Sequence, residues 1–565
     1  MRFSTLLLLL FSSLFSLAQN KAYYLNSTGN DANDGSSARP WKTVAPANVF
    51  NFEPGDTLFF TGGQTFGSVQ LQKNDEGLTL ASYNGIATLG PLYAYNVGNI
   101  TIDGLNFVGA GTVNKLDGIK FYMDSTSFGD NSTIVIKNTS VSNFGGNGIL
   151  FGAWATSNGY HNVQILDCNL FGNSVDGFAS FGYYDQVNHS QLYINRVKSY
   201  RNYGRTDITA TRTGSGFLVG GFDGGIIENC EAFDNGKNNR CPSGGPQGFW
   251  CYNSKNLVFQ YCVSHDNKAG KLFDGGGFDI DGGSQNCTIQ YCYSYNNEGA
   301  GLAFFEHGST TQFTNNAIRY NISENDARRN AHGAIMLWAQ DTLNRVKNSQ
   351  IYNNTIYVTP SATASLNYPV GVLYKWTNFQ NLSFFNNVIY TIDTVKILVG
   401  SYGSTTFSNN NYYTPGKTVN FKKGGVSLDP LFVNAGGGTD GYKVKGASAM
   451  INAGKASPAT KDFVSTPVPF NGGYDIGAYE SILMEPVANA GADQVITLPA
   501  DLNLTGSGSD EDGAIEGYSW TRTAGPVLCQ INTPSNASTM VSNLAEGTYT
   551  FRLTVKDNDG KTQYD

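Results

Sequence analysis

Two aspartates two positions apart, Asp279 and Asp281, stand in the stretch GGGFDIDGG of this 565-residue chain. In an extended strand, residues i and i+2 share a face, with Cα atoms roughly 6.7 Å apart. Two carboxyls at that range suit glycoside hydrolysis. One protonates the leaving oxygen, and the other attacks the sugar or activates water. Close like charges raise one member's pKa, as a general acid requires. Asp274 and Glu306 lie nearby in sequence as alternative partners. Trp250, Tyr252 and Phe305 supply aromatic faces of the kind that stack on sugar rings. The competing readings are simple solvation of the aspartates or structural binding of Ca²⁺. Gly275, Gly276 and Gly277 weigh toward a site, because glycine lets a ligand approach the backbone.

The elements that position these residues are short strands in register. A motif of Gly, apolar, any, apolar begins at Gly148, Gly177, Gly216, Gly248, Gly277, Gly301, Gly333 and Gly371. Residues one and three after each Gly are expected to point inward, and residues two and four outward. The outward columns are mostly uncharged, except at Asp279 and Asp281, with Trp250 and Tyr252 one coil before and Phe305 one coil after. The expectation is a solvent-facing acidic rung walled by rings.

Between these copies runs a second motif, an apolar strand followed by Cys or Asn, with Asn or Asp five residues later. Its slots are Cys168, Val197, Cys230, Cys262, Cys292, Asn321, Asn354 and Asn387, spaced 29 to 33 residues apart. Two or three short strands per repeat, bounded by Gly or Asn turns, are what a parallel β-helix requires, since each coil buries its face only on its neighbours. Asn suits the bends because it tolerates left-handed backbone angles and bonds to nearby main chain. Cysteine in the slot is a small inward filler. Cys241 and Cys251 are the one pair to test for a disulfide.

Composition agrees. Gly is 67 of 565, aromatics are 13% and charged residues 14%. That argues against disorder and against a helical bundle. A net charge of −8 excludes a nucleic-acid backbone as the expected partner. Residues 1–18 read as a secretory signal: Arg2, a short apolar run, then Ser16-Leu17-Ala18. That run is too short to span a membrane and no other long apolar run follows, so a secreted or cell-surface protein, most simply a monomer, is expected.

With these repeats the chain resembles the exported bacterial right-handed parallel β-helix proteins, which include polysaccharide lyases and several glycoside hydrolase families. The opening AYYLNSTGNDANDGSSARPWKTVAPAN, the lead GDTLFFTGG and the closing YDIGAYE at 474–480 carry the resemblance, the last as a terminal strand. After Met484, the stretch from PVANAGADQ to GTYTFRLTVKDNDG resembles a PKD-type immunoglobulin-like sandwich, with Trp520 as its buried aromatic. The expected organisation is a signal at 1–18, an all-β solenoid at 19–483 and a PKD-like sandwich at 484–565, truncated before its last strand.

Three functions compete. The first is a glycoside hydrolase on a poly- or oligosaccharide, without cofactor, using Asp279, Asp281 and Asp274. Trp250, Tyr252, Phe305 and Glu306 would bind substrate. The second is a lyase of uronic-acid polymers. The β-helix lyases use Asp-bound Ca²⁺ and a Lys or Arg base, which would assign Ca²⁺ to Asp274, Asp279 and Asp281. Arg240, Lys268 and Lys271 would then serve an acidic sugar. The third is a non-catalytic carbohydrate-binding surface protein. His265 and His307 lack metal-ligand spacing. Glu324, Arg328 and Arg329 either line a cleft rim or pair with one another.

Overall fold

The computed structural model describes residues 20–565, apart from 125–132, 155–157, 272, 307–310, 341, 344, 366, 420–422, 471 and 512. The signal segment and His307 therefore lie outside the described residues. From Ala22 onward, each coil gives one strand to each of three parallel sheets, of 15, 12 and 14 strands among the described residues. One turn runs from Gln247–Tyr252 in the second sheet to Lys255–Gln260 in the first. It continues through Val263–His265 in the third and returns to Gly276–Asp281 in the second. The expected β-helix is thus present.

The interior is a continuous apolar core from Leu25 to Val419. Like residues stack on like. Phe217, Phe249 and Phe278 lie 4.7 and 5.0 Å apart with nearly parallel rings. The repeated Cys and Asn slots sit at the bend between the first and third sheets. Cys168 and Cys230 each donate Sγ–H to the carbonyl two residues back, at 3.1 Å. From Asn321 onward the slot becomes an amide ladder, Asn321, Asn354, Asn387 and Asn410, each Nδ2 bonded to the next Oδ1. A second ladder runs Asn173, Asn202, Asn235, Asn267, Asn297 and ends on Asp326.

The left-handed angle at each bend belongs to the residue before the ladder member. Arg201, Asp234 and Tyr320, before ladder members, and Tyr261 and Tyr291, before slot cysteines, all have φ between 51° and 55°. Such angles cost roughly 1–2 kcal/mol for a non-glycine residue. Ladder bonds worth about 0.5–1.5 kcal/mol each offset that cost. The ladder members are held by their bonds, and the left-handed angle falls on the residue before them, which is itself asparagine at Asn296, Asn325, Asn353, Asn386 and Asn409.

YDIGAYE is not a strand. Gly477 adopts φ 113°, and the segment clips to the solenoid side chain by side chain. Asn353 Nδ2 donates to the Asp475 and Gly477 carbonyls, and Ala478 N–H donates to Thr355 Oγ1.

From Val487 to Tyr564 the pairing becomes antiparallel. Trp520, Leu504, Val541, Leu553 and Val555 form this unit's own core. Trp520 is buried and donates Nε1–H to the Ala537 carbonyl at 3.1 Å.

Candidate active site

The register of the second sheet places the aspartates. Trp250, Asp279 and Ala303 are cross-strand neighbours, and Asp281 faces Phe305. Phe278 and Ile280 join the interior core, so Asp279 and Asp281 occupy the opposite face, as expected. Together with Asp274, Trp250, Tyr252 and Phe305 they line one cavity of about 670 Å³.

This face is not an open ribbon. Asp279 is only 2% exposed, Trp250 6% and Phe305 7%. The cause is loop length. Gly177 follows ladder residue Asn173 by 4 positions, and Gly301 follows Asn297 by 4. Gly216, Gly248 and Gly277 follow Asn202, Asn235 and Asn267 by 14, 13 and 10. Three consecutive long connections thus fold over the sheet, and residues from each line the cavity, among them Arg212, Cys241 and Phe273. These insertions were a readable signal that strand alternation alone does not carry.

The glycines serve coil packing. A Cβ at Gly276 would stand 2.3 Å from Gln247 Oε1, and one at Gly277 would stand 2.2 Å from Ser294 Oγ. Close approach by neighbouring coils, not by a ligand, explains them.

The electrostatics are uneven. Asp279 Oδ1 is buried and accepts no hydrogen bond from any described residue. Burial, then the negative charges of Asp281 and Asp274, push the Asp279 carboxyl well above the ordinary carboxylate range. Asp281 is half-buried and accepts the Gly282 N–H at 2.6 Å. Asp274, at φ 57°, accepts the Gly245 N–H at 2.7 Å. A buried carboxyl shifted toward its protonated form, beside two carboxyls that accept backbone N–H bonds, is an arrangement suited to acid–base chemistry.

Several expected assignments change. Glu306 shares the inward face with Leu302 and Phe304. It is fully buried, accepts from the Gly283 N–H at 3.4 Å and does not line the cavity. Strict alternation from Gly301 already places it inward. Trp250 offers no open face. The Arg212 guanidinium lies 4.3 Å from its ring centroid, and its Nε1–H is bonded to Ser215 Oγ at 3.1 Å. Phe273, 41% exposed, and Trp338 line the cavity and were missed, one in a loop and the other two coils beyond the aspartates.

Cys241 and Cys251 are both free. Cys251 lies in the interior core and Cys241 on the cavity wall, so the sheet separates them. Arg240, Lys268 and Lys271 do not line the cavity. Arg329 pairs with Glu298 at 3.1 Å, Arg328 donates to the Asp326 and Thr359 carbonyls, and Glu324 accepts from Tyr293. All three are scaffold contacts. His265 is stacked between Phe233 and Tyr295 on the third sheet.

Among the described residues no three of His, Cys, Asp or Glu are grouped to hold a metal ion. No described helix is long and apolar enough to cross a membrane.

Comparison with known proteins bears on the architecture. Residues 184–318 match the family model "Right handed beta helix region", and residues 490–565 match a PKD domain family model. The chain is a right-handed parallel β-helix followed by a PKD-type β-sandwich. The human "Low-density lipoprotein receptor-related protein 11" is 40% identical over 81 residues, 14% of this chain and 16% of that protein. The mouse "Dyslexia-associated protein KIAA0319-like protein" is 41% identical over 73 residues, 13% of this chain and 7% of that protein. The chain thus spans a small part of these curated relatives. Among solved structures, the lacto-N-biosidase of Eubacterium ramulus (GH136) is 15% identical with a TM-score of 0.46. That match covers 69% of this chain and 68% of that one. Pectate lyase Pel9A is 17% identical with a TM-score of 0.36, covering 82% and 97%. Most of the candidate cavity, from Ala210 to Phe305, falls inside the matched 184–318, while Trp338 and Gln340 lie beyond it.

Proposed function

We propose that the protein is a secreted glycoside hydrolase acting on a poly- or oligosaccharide in the Asp279 cavity. The observation that carries this reading is buried Asp279, with its Oδ1 unpartnered among the described residues, beside Asp281 on one strand in a cavity with aromatic walls. Asp279 protonates the glycosidic oxygen as the bond breaks. Asp281, which accepts the Gly282 N–H, attacks the sugar or activates the water. Asp274 adds negative charge that keeps Asp279 protonated. Phe273 and Trp338 supply ring surface in place of Trp250. Carboxyls about 5–5.5 Å apart give retention of configuration and about 6.5–9.5 Å inversion. The anomer first released, followed by NMR, therefore reports their separation during catalysis.

A screen of plant and algal polysaccharides with product mass analysis tests the proposal. Products heavier by one water, lost in Asp279→Asn, support it. Products lacking that water would favour elimination of a uronate. Arg212, the cation on the cavity wall, is the observation that favours this second reading. Binding without any turnover would remove both.

A further inference from the structure

We propose that Trp154, Tyr183 and Tyr184 form a second, non-catalytic station for the polysaccharide cleaved in the Asp279 cavity. This rests on the carbohydrate reading above and makes the substrate a polymer lying along the solenoid axis.

Trp154 directly follows the strand Ile149–Ala153, and Tyr183 and Tyr184 follow Phe178–Phe181. Both strands belong to the second sheet, and their C-terminal ends form the edge where Tyr252 and Asp281 also stand. Phe178–Phe181 lies three strands before Gly276–Asp281, and Ile149–Ala153 four. At about 4.8 Å per strand, the rings are roughly 14–19 Å from the aspartates.

The three rings are gathered and left open. Tyr183 and Tyr184 centroids are 4.4 Å apart, and Trp154 lies 6.0 and 6.3 Å from them. Trp154 is 50% exposed and Tyr184 75%. Tyr184 holds φ 43° and ψ 59°, the left-handed region that a bulky aromatic avoids. The turn that imposes this angle is pinned. Buried Asn188 accepts the Tyr183 N–H at 2.7 Å, and the Gln186 N–H returns to the Tyr183 carbonyl at 3.0 Å. Tyr291 and Tyr320 also hold left-handed angles but are buried, whereas the pinned turn at Tyr184 leaves its ring open to solvent.

Saccharide is the occupant that the same edge favours. Further along it, Tyr95 stacks on Tyr122 at 5.3 Å. A cavity of about 620 Å³ there is lined by Tyr93, Tyr95, Gln70, Gln72 and Asn96. Rings for sugar faces and amides for hydroxyls thus continue beyond the station, away from the catalytic cavity. The aromatic rings present apolar surface with a polar tip, which fits the C–H face and hydroxyl rim of a pyranose.

The test uses the full chain and the double substitution Trp154→Ala/Tyr184→Ala, with Trp154→Phe/Tyr184→Phe as the conservative control. Affinity electrophoresis in xyloglucan, laminarin, arabinogalactan and polygalacturonate measures binding. For any polymer that is hydrolysed, KM and kcat are compared on the polymer and on its shortest cleavable oligosaccharide. We expect the alanine pair to weaken polymer retention and raise polymer KM by about tenfold. Values on the short substrate should stay constant, and the phenylalanine pair should restore retention. Unchanged polymer affinity, equal losses on short and long substrates, or no retention of wild type by any of the four polymers would overturn the station. If wild type binds a polymer but hydrolyses none, and the alanine pair loses that binding, the station stands and the hydrolase reading falls.

Discussion

Asp279 and Asp326 are both buried carboxyls on neighbouring coils, yet their surroundings differ. Asp326 ends the amide ladder, accepting from Asn297 N–H, Asn297 Nδ2 and Ser323 Oγ. Burial still lifts its carboxyl to about 6. Asp279 is lifted further from the ordinary range by burial plus two carboxylate neighbours, and its Oδ1 has no described partner. A buried polar group without a partner costs about 1–3 kcal/mol. The scaffold satisfies the carboxyl that holds coils together and leaves unsatisfied the one that faces the cavity. That contrast separates a structural acid from a chemical one.

The largest expected effect is Asp279→Asn, which removes the acid. Hydrolysis should fall about a thousandfold, while far-ultraviolet circular dichroism stays that of a β-helix. The same substitution should raise the melting temperature at pH 7 and leave it unchanged near pH 3. A carboxyl whose folded pKa exceeds its unfolded one stabilises the fold when protonated in both states. That stability is lost as pH climbs from the unfolded value through the folded one. A lower melting temperature at pH 7 would show instead that the fold depends on the Asp279 carboxylate.

Next in size is Asp326→Asn. The ladder geometry accepts an amide there. One coil before, Asn297 Nδ2 donates to Ser294 Oγ, as an amide at position 326 would to Ser323. Denaturant titration should show a gain of about 1–2 kcal/mol at pH 8 and almost none at pH 4, with hydrolysis intact. Loss of activity would erase the distinction between the two acids.

Activity should follow a bell-shaped pH profile. It falls on the acid side as Asp281 takes a proton and on the alkaline side as Asp279 loses one. A profile flat across the alkaline side would remove Asp279 as the acid.

The smallest effect belongs to Phe273→Ala. It should raise KM about threefold with kcat unchanged, and stability should not move. A fall in kcat instead would place the ring at the reacting centre.

Much of this was legible in the sequence. Alternation after Gly277 placed Phe278 and Ile280 inward and Asp279 and Asp281 outward, because period-2 geometry leaves no other choice. The slot residues revealed the solenoid because each coil must bury its face on the next. Alternation is silent on what lies above a sheet, so the covering loops and Phe273 were not seen from it. Trp250 looked available because a sequence does not show Arg212 folding back over its ring. Glu306 was misplaced by proximity in sequence, although its own parity pointed inward. YDIGAYE read as a strand because its contacts, to Asn353 and Thr355, lie more than a hundred positions away.

The most direct measurement is digestion of a cleaved polysaccharide in heavy-oxygen water by wild type and Asp279→Asn, read by mass spectrometry. The account predicts one heavy oxygen at each new reducing end for wild type and almost no product for the variant. Unlabelled unsaturated ends, or undiminished labelled product from the variant, would contradict it.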